Sequence, residues 1–170
     1  FFFHADAAIR DPLWSRGLGD VYKRQDLNAG SVTLEQLINV YPFPDYLTVV
    51  ELSGKQIKEL IEYSLTLPYG VGQISGLKIQ FDSTQPKMQR LVSIQLGNTE
   101  LVDTQKYTVS TSAYVAKGGD GYTVFTKGKI IDDNQDMPDA LYQNFKNVFD
   151  IDLPSIDRQI DLSTITSATR

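Results

Sequence analysis

Tyr114-Val115-Ala116-Lys117-Gly118-Gly119-Asp120-Gly121-Tyr122 is the stretch around which the rest of the chain is read. Three glycines in four positions let the backbone take positive φ and approach a ligand closely, at a cost in folding entropy. One carboxylate, Asp120, sits inside that permissive turn, and an aromatic stands at each end. A carboxylate so placed can accept hydrogen bonds from a diol, and a flanking ring offers a face for stacking. The plain structural alternative is a glycine-rich hairpin turn whose two aromatics pack into the core. A glycine-rich loop alone is a weak signal, so the rest of the chain must decide between them.

Working outward, Lys106 to Ala113 reads as the strand that delivers the chain to this loop, and Tyr122 to Phe125 as its extended continuation. Upstream, Thr33-Leu34-Glu35-Gln36 fits a capping box, in which the Thr33 hydroxyl and the Gln36 side chain satisfy free amides at a helix start. Leu34, Leu37, Ile38 and Tyr41 then fall on one helical face, and Pro42 and Pro44 end it. Tyr46 to Leu52 is rich in Val, Leu and Thr, a strand composition. Ser53-Gly54-Lys55-Gln56 is a second capping box, opening a helix whose Ile57, Leu60, Ile61 and Leu65 form an apolar stripe. Pro68 and Gly70 stop it. Glu59, Glu62 and Lys58 are taken as that helix's solvated face.

Two more strands follow from alternation: Leu77, Ile79 and Phe81, then Val92, Ile94 and Leu96, with Gly97-Asn98 as a hairpin turn. Pro138 with Leu141, Phe145, Val148 and Phe149 predicts a last amphipathic helix. Clustered strands with separate helices predict an α+β fold, a single domain of mixed sheet with several short amphipathic helices. Asp132-x-Asn134-x-Asp136 imitates a calcium loop, but Met137 stands where glycine is needed and Gln143 where glutamate is needed, so that reading fails.

The 170 residues carry a net charge of −5 and no cysteine. With no basic stripe to neutralise phosphates, a nucleic-acid partner is not expected. Disulfides, thiolate catalysis and cysteine–zinc sites are excluded, and no apolar run is long enough for a membrane span. Residues 1–25 read unlike the rest: no helical or strand period, no signal-peptide layout, and a run from Ser15 to Gln25 that resembles a translated sequencing-adapter read-through. They are expected to be a non-native segment without a fold. The single histidine, His4, and the single tryptophan, Trp14, both lie there. Without a credible histidine base, Ser53 has no partner that would make it a nucleophile. Residues 26–160 are expected to hold the fold and 161–170 to form a flexible tail.

Three blocks now stand in order: Ala29-Gly30-Ser31-Val32-Thr33 leading to Tyr41-Pro42-Phe43; Glu51-Leu52-Ser53-Gly54 with its helix and then Ser75-Gly76-Leu77; and Tyr107-Thr108-Val109 through Tyr114 to Gly118-Gly119-Asp120-Gly121-Tyr122. Together they resemble the C-terminal domain of the 5′-nucleotidase / UDP-sugar hydrolase family. The resemblance implies a domain that binds the nucleoside part of a substrate. It implies a separate N-terminal metallophosphatase domain, with two divalent metal ions and the catalytic residues, as this domain's partner. This chain would then be a fragment with no cofactor, metal ligand or catalytic residue of its own, inactive alone, and the parent protein periplasmic, secreted or on the surface of a bacterial cell.

By position, the resemblance makes Phe43 and Tyr114 the two rings of a clamp around the base and Asp120 the carboxylate that holds the ribose hydroxyls. Gly118 and Gly119 complete the substrate-binding loop. Departures from the family pattern are Tyr114 where Phe is usual, Ala113 where Asn is frequent, and Asp45 where some members have Asn. Family arginines that reach the phosphate end an Asn-Gly-Gly-Gly-Ile-Arg type motif. Ala8-Ile9-Arg10 imitates that ending, but inside the segment set apart, so the phosphate grip is expected to be missing. The rival reading is a non-catalytic binding or scaffold module that keeps the fold without nucleotide binding. A third is the related cyclic-nucleotide phosphodiesterase/3′-nucleotidase branch, which shares the domain.

Overall fold

The computed structural model describes residues 32–41, 43–68, 71–146 and 158–167. The segment 1–25 with Arg10, the entry turn at Asp26, and the expectations on Pro42, Gly70, Val148 and Phe149 lie outside the described residues.

Both capping boxes form. Helix α1 (Leu34–Val40) opens with Gln36 N–H donating to Thr33 Oγ1 at 3.2 Å, and Thr33 N–H to Gln36 Oε1 at 2.8 Å. Its apolar positions Leu34 and Ile38 are 50% and 42% exposed, so the stripe read from the sequence is only partly covered. Strand β1 (Tyr46–Ser53) runs directly into helix α2 (Gly54–Ser64). A helix start leaves amides without intrahelical partners, and α2 satisfies three of them in two ways. Gln56 N–H donates to Ser53 Oγ at 3.3 Å, while Gly54 and Lys55 N–H donate to the carbonyls of Gln105 and Asp103 at 3.0 and 3.1 Å. That docking is why position 54 is glycine: a Cβ there would overlap the Val102 carbonyl.

The strands divide over two sheets rather than one. The first, with order β5-β1-β6, is antiparallel, with β1 between β5 (Lys106–Ser112) and β6 (Lys129–Asp136). Its register pairs Val50 with Val109 and Leu52 with Tyr107 on one side, and Val50 with Ile130 on the other. The second has order β4-β3-β2-β7, from β2 (Leu77–Phe81), β3 (Leu91–Leu96), β4 (Thr99–Glu100) and β7 (Gln159–Asp161). Here β2 pairs antiparallel with β3 and parallel with β7, and Gly97, at φ 61°, makes the β3–β4 turn. Helices α4 (Met137–Phe145) and α5 (Leu162–Ser167) complete the α+β fold.

The α2 stripe does what its spacing predicts. Ile57, Leu60, Ile61 and Leu65 are buried in one cluster with Val50, Leu52, Ile79, Ile94 and Phe125, each large side chain contributing about 1.5–3 kcal/mol of transfer free energy. The polar side of α2 departs from a merely solvated face. Glu62 accepts from the backbone amides of Arg90 and Leu91 at 3.1 and 2.8 Å, which ties the helix to β3. Lys58 pairs with Asp103 and Glu59 with Lys127, at 2.7 and 3.2 Å, exposed pairs of the kind worth about 0–1 kcal/mol.

Three further expectations change, and one stretch without a predicted element is placed. The run Tyr122 to Phe125 is not extended: residues Thr123–Lys127 make a 3₁₀ turn, with Phe125 N–H to Tyr122 O at 3.1 Å, that seats Val124 and Phe125 in the core. Ala113 is not a strand residue, because Ser112 caps a four-residue helix α3 (Ala113–Ala116) by accepting from Val115 N–H at 3.3 Å. The Asp132–Asp136 stretch is part of β6, an edge strand exposed along its length. In β3 only Ile94 is buried, while Val92 and Leu96 stay open. The boundary drawn at 161 falls where β7 passes into α5.

Candidate functional site

Strand β5 ends at Ser112, whose hydroxyl turns the chain into α3 and so fixes where Tyr114 stands. Lys117 N–H closes on Ala113 O at 3.1 Å and Gly118 N–H on Val115 O at 2.9 Å. Gly118 then takes φ 90°, in the left-handed region, which lets the chain leave the helix at once. Gly119 passes beneath the Tyr114 ring, and a Cβ at that position would stand 2.5 Å from it. Asp120 has φ 51°, an uncommon conformation for a residue with a side chain and one that aspartate tolerates better than most. Gly121, at φ 82°, returns the chain to Tyr122, which is buried and hydrogen-bonded to Ser64 at 3.3 Å. Tyr122 is therefore a packing residue.

Tyr114 is 56% exposed. Its hydroxyl donates to Asp120 Oδ1 at 3.0 Å and accepts from the Asp120 N–H at 3.3 Å, closing a small ring of contacts over the glycine. The Asp120 carbonyl accepts from the Tyr63 hydroxyl at 2.8 Å, so α2 also reaches this loop. Tyr63 is held edge-on to Tyr122, centroids 5.1 Å apart.

Phe43 comes from the segment between α1 and β1. It is half-buried and meets Tyr41 edge to face at 5.4 Å. Asp45, two residues on, joins this segment to the loop: its Oδ2 accepts from the Tyr41 hydroxyl at 3.2 Å and from Tyr114 N–H at 3.4 Å. Its Oδ1 accepts from Tyr46 N–H at 2.9 Å. All three contacts need an acceptor, which is a physical reason for aspartate at this position.

The structure thus brings Tyr114, Gly118, Gly119 and Asp120 into one loop, and links the Phe43 segment to that loop through Asp45. Tyr63 and Tyr41 were not singled out from the sequence as site residues. Only their aromatic character could have flagged them, since the partners are known only once the fold is formed. On another flank of α3, Ala113, Ala116 and Lys117 with Tyr46, Thr48, Ile130 and Asp133 line an open groove of about 210 Å³. Among the described residues there is no group of three or more His, Asp or Glu side chains that could hold a metal ion. No described helix is long and apolar enough to cross a membrane.

The sequence matches the family model described as "5′-nucleotidase, C-terminal domain" over residues 5–127. An apyrase of Tabanus yao is 31% identical over 153 residues, covering 75% of this chain and 28% of that protein. A snake venom 5′-nucleotidase of Macrovipera lebetinus is 32% identical over 108 residues, 56% of this chain and 26% of that protein. This chain therefore spans about a quarter of the length of these curated relatives. Among solved structures, the 5′-nucleotidase precursor of Thermus thermophilus superposes with a TM-score of 0.75 over 83% of this chain and 30% of its own, at 24% identity, a likeness of fold.

Proposed function

The chain belongs to the family of 5′-nucleotidase C-terminal domains, and from that premise we propose that it is the nucleoside-recognition domain of a nucleotide hydrolase. The complete protein would remove phosphate from nucleotides with a metallophosphatase domain elsewhere in it, by metal-assisted attack of water on the ester. This chain would supply binding alone. Export of the parent protein, to the periplasm, the cell surface or the medium, is part of the same proposal, and the venom origin of one relative supports it.

The observation that carries the reading is the loop in which Asp120 stands beside the exposed ring of Tyr114, 3.0 Å from its hydroxyl, with the Phe43 segment tied to the same residue through Asp45. A base stacks on an aromatic face with about 1–3 kcal/mol whatever its identity, and a carboxylate accepts charge-assisted bonds from ribose hydroxyls. Asp120, Tyr114, Phe43 and the backbone of Gly118 and Gly119 are the proposed contacts. The Tyr114–Asp120 bond also favours one rival: a loop that satisfies its own carboxylate suits a scaffold module without a ligand.

Titration with adenosine, followed by NMR, separates the two. Saturable shifts that vanish in Tyr114→Ala and Asp120→Ala support the nucleoside site. A folded chain that shows no shift with adenosine, alone or within the complete protein, leaves the scaffold reading.

A further inference from the structure

Asp120 is held by more than its own loop, and the residue that holds it from outside is Tyr63. The aspartate keeps a left-handed backbone at φ 51°, and such conformations persist when surroundings over-determine them. Its N–H and Oδ1 are both taken by the Tyr114 hydroxyl. Its carbonyl is taken by the Tyr63 hydroxyl at 2.8 Å, from a residue 57 positions earlier in the chain. Tyr63 sits at the end of α2, and its ring is fixed edge-on by buried Tyr122 at 5.1 Å. Gly121 makes room for it, since a Cβ there would overlap the Tyr63 hydroxyl. The core helix therefore reaches through one hydroxyl to the peptide that carries the carboxylate.

We infer that Tyr63 is a positioning residue: by fixing the Asp120–Gly121 peptide it sets the direction in which the carboxylate faces a vicinal diol. This role rests on the nucleoside reading above. It predicts a selective effect. Losing the Tyr63 hydroxyl frees the peptide to rotate and weakens only those contacts made by the carboxylate, leaving ring stacking as it was.

The test uses the 170-residue chain and two probes that share a base, adenosine and 2′,3′-dideoxyadenosine, which lacks both ribose hydroxyls. Wild type should prefer adenosine. Tyr63→Phe keeps the ring and its contact with Tyr122; it should lose about three- to tenfold in affinity for adenosine, the effect of one hydrogen bond, with dideoxyadenosine unchanged. Tyr122→Phe, which removes the Ser64 contact but not the Tyr63 hydroxyl, serves as the folding control and should leave the preference intact. Equal loss for both probes in Tyr63→Phe, or no loss for either, overturns the positioning role. If wild type itself fails to distinguish the probes, the diol contact proposed for Asp120 is wrong, and the role of Tyr63 falls with it. That outcome is recognised before any variant is examined.

Discussion

The Tyr114 hydroxyl donates to Asp120 Oδ1 at 3.0 Å while accepting from the N–H of the same aspartate at 3.3 Å. Tyr114 thus carries a hydroxyl that occupies one oxygen of the proposed ribose-binding carboxylate. A ribose hydroxyl arriving at that oxygen exchanges one donor for another, which is close to neutral, because net hydrogen-bond contributions are small when bonds are swapped. Tyr114→Phe is therefore expected to bind adenosine within about threefold of wild type. Tyr114→Ala loses the ring and should bind about 5- to 150-fold more weakly, the equivalent of about 1–3 kcal/mol of stacking. Calorimetric titration of both variants checks this; equal, severe losses would show that the hydroxyl and not the ring carries recognition.

Gly119 and Gly121 flank Asp120 but are glycine for different reasons, so their alanine variants should differ. Gly119 does not need positive φ; its Cβ would press on the Tyr114 ring, an exposed side chain that can swing away. Gly119→Ala should cost less than about 1 kcal/mol of stability, within the usual range for a surface change, yet displace Tyr114 and weaken adenosine binding. Gly121 combines φ 82° with an overlap on the Tyr63 hydroxyl. Gly121→Ala should cost about 1–3 kcal/mol, the range for a side chain forced into such a backbone. Urea midpoints for the pair give the comparison, and similar midpoints would refute it.

Much of this architecture was legible because its causes are local. Thr33 with Gln36 and Ser53 with Gln56 lie three residues apart, so both helix starts can be read without the fold. The stripe Ile57, Leu60, Ile61 and Leu65 shows its period in the sequence, and those residues are buried. Strand β6 was not legible: Asp132, Asp133, Asn134 and Asp136 are poor strand formers, and they extend because β1 offers its edge. Helix α3 was hidden because the strand composition of β5 runs into it, and one hydroxyl, on Ser112, makes the break. In the site, the glycine loop announced itself, whereas Tyr63 and Asp45 owe their places to contacts 57 and 69 residues away.

The β1–α2 junction offers a stability test independent of any ligand. Ser53→Ala removes the cap on Gln56 N–H and should cost about 0.5–2 kcal/mol. Gly54→Ala meets backbone rather than side chain, at the Val102 carbonyl, and no rotamer change relieves it. It also disturbs the two bonds from Gly54 and Lys55 to the Gln105 and Asp103 carbonyls. Its cost should therefore exceed that of Ser53→Ala, at about 3 kcal/mol or more, as for other sites of enforced overpacking. Thermal or urea unfolding of the two variants orders them, and the reverse order would mean that the loop at residues 102–105 yields easily.

Asp161 gives the fold a defined response to acid. Burial pushes its carboxyl up, but hydrogen bonds from Ser83 and Ser163 outweigh that and bring its pKa down to about 2. Neighbouring Asp82 is also held low, by the Thr84 hydroxyl, then by Gln85 and the Thr84 amide, with its own burial and the like charge of Asp161 opposing this. An unfolded aspartate titrates near 3.9, so over this window the unfolded chain binds more protons than the folded one and stability rises with pH. The contribution of Asp161 is complete above about pH 4 and lost as pH falls through about 2. The bonds at stake, Ser83 N–H at 3.3 Å and Ser163 N–H at 3.0 Å, fasten β7 and α5 to the end of β2. Asp161→Asn should melt below wild type at pH 5, and the difference should shrink steadily towards pH 2. Asp82 feels the Asp161 charge, so the same pair is compared in an Asp82→Asn background to remove its share. A difference in melting temperature that stays constant across this range would show that the Asp161 charge does no work in holding β7 and α5.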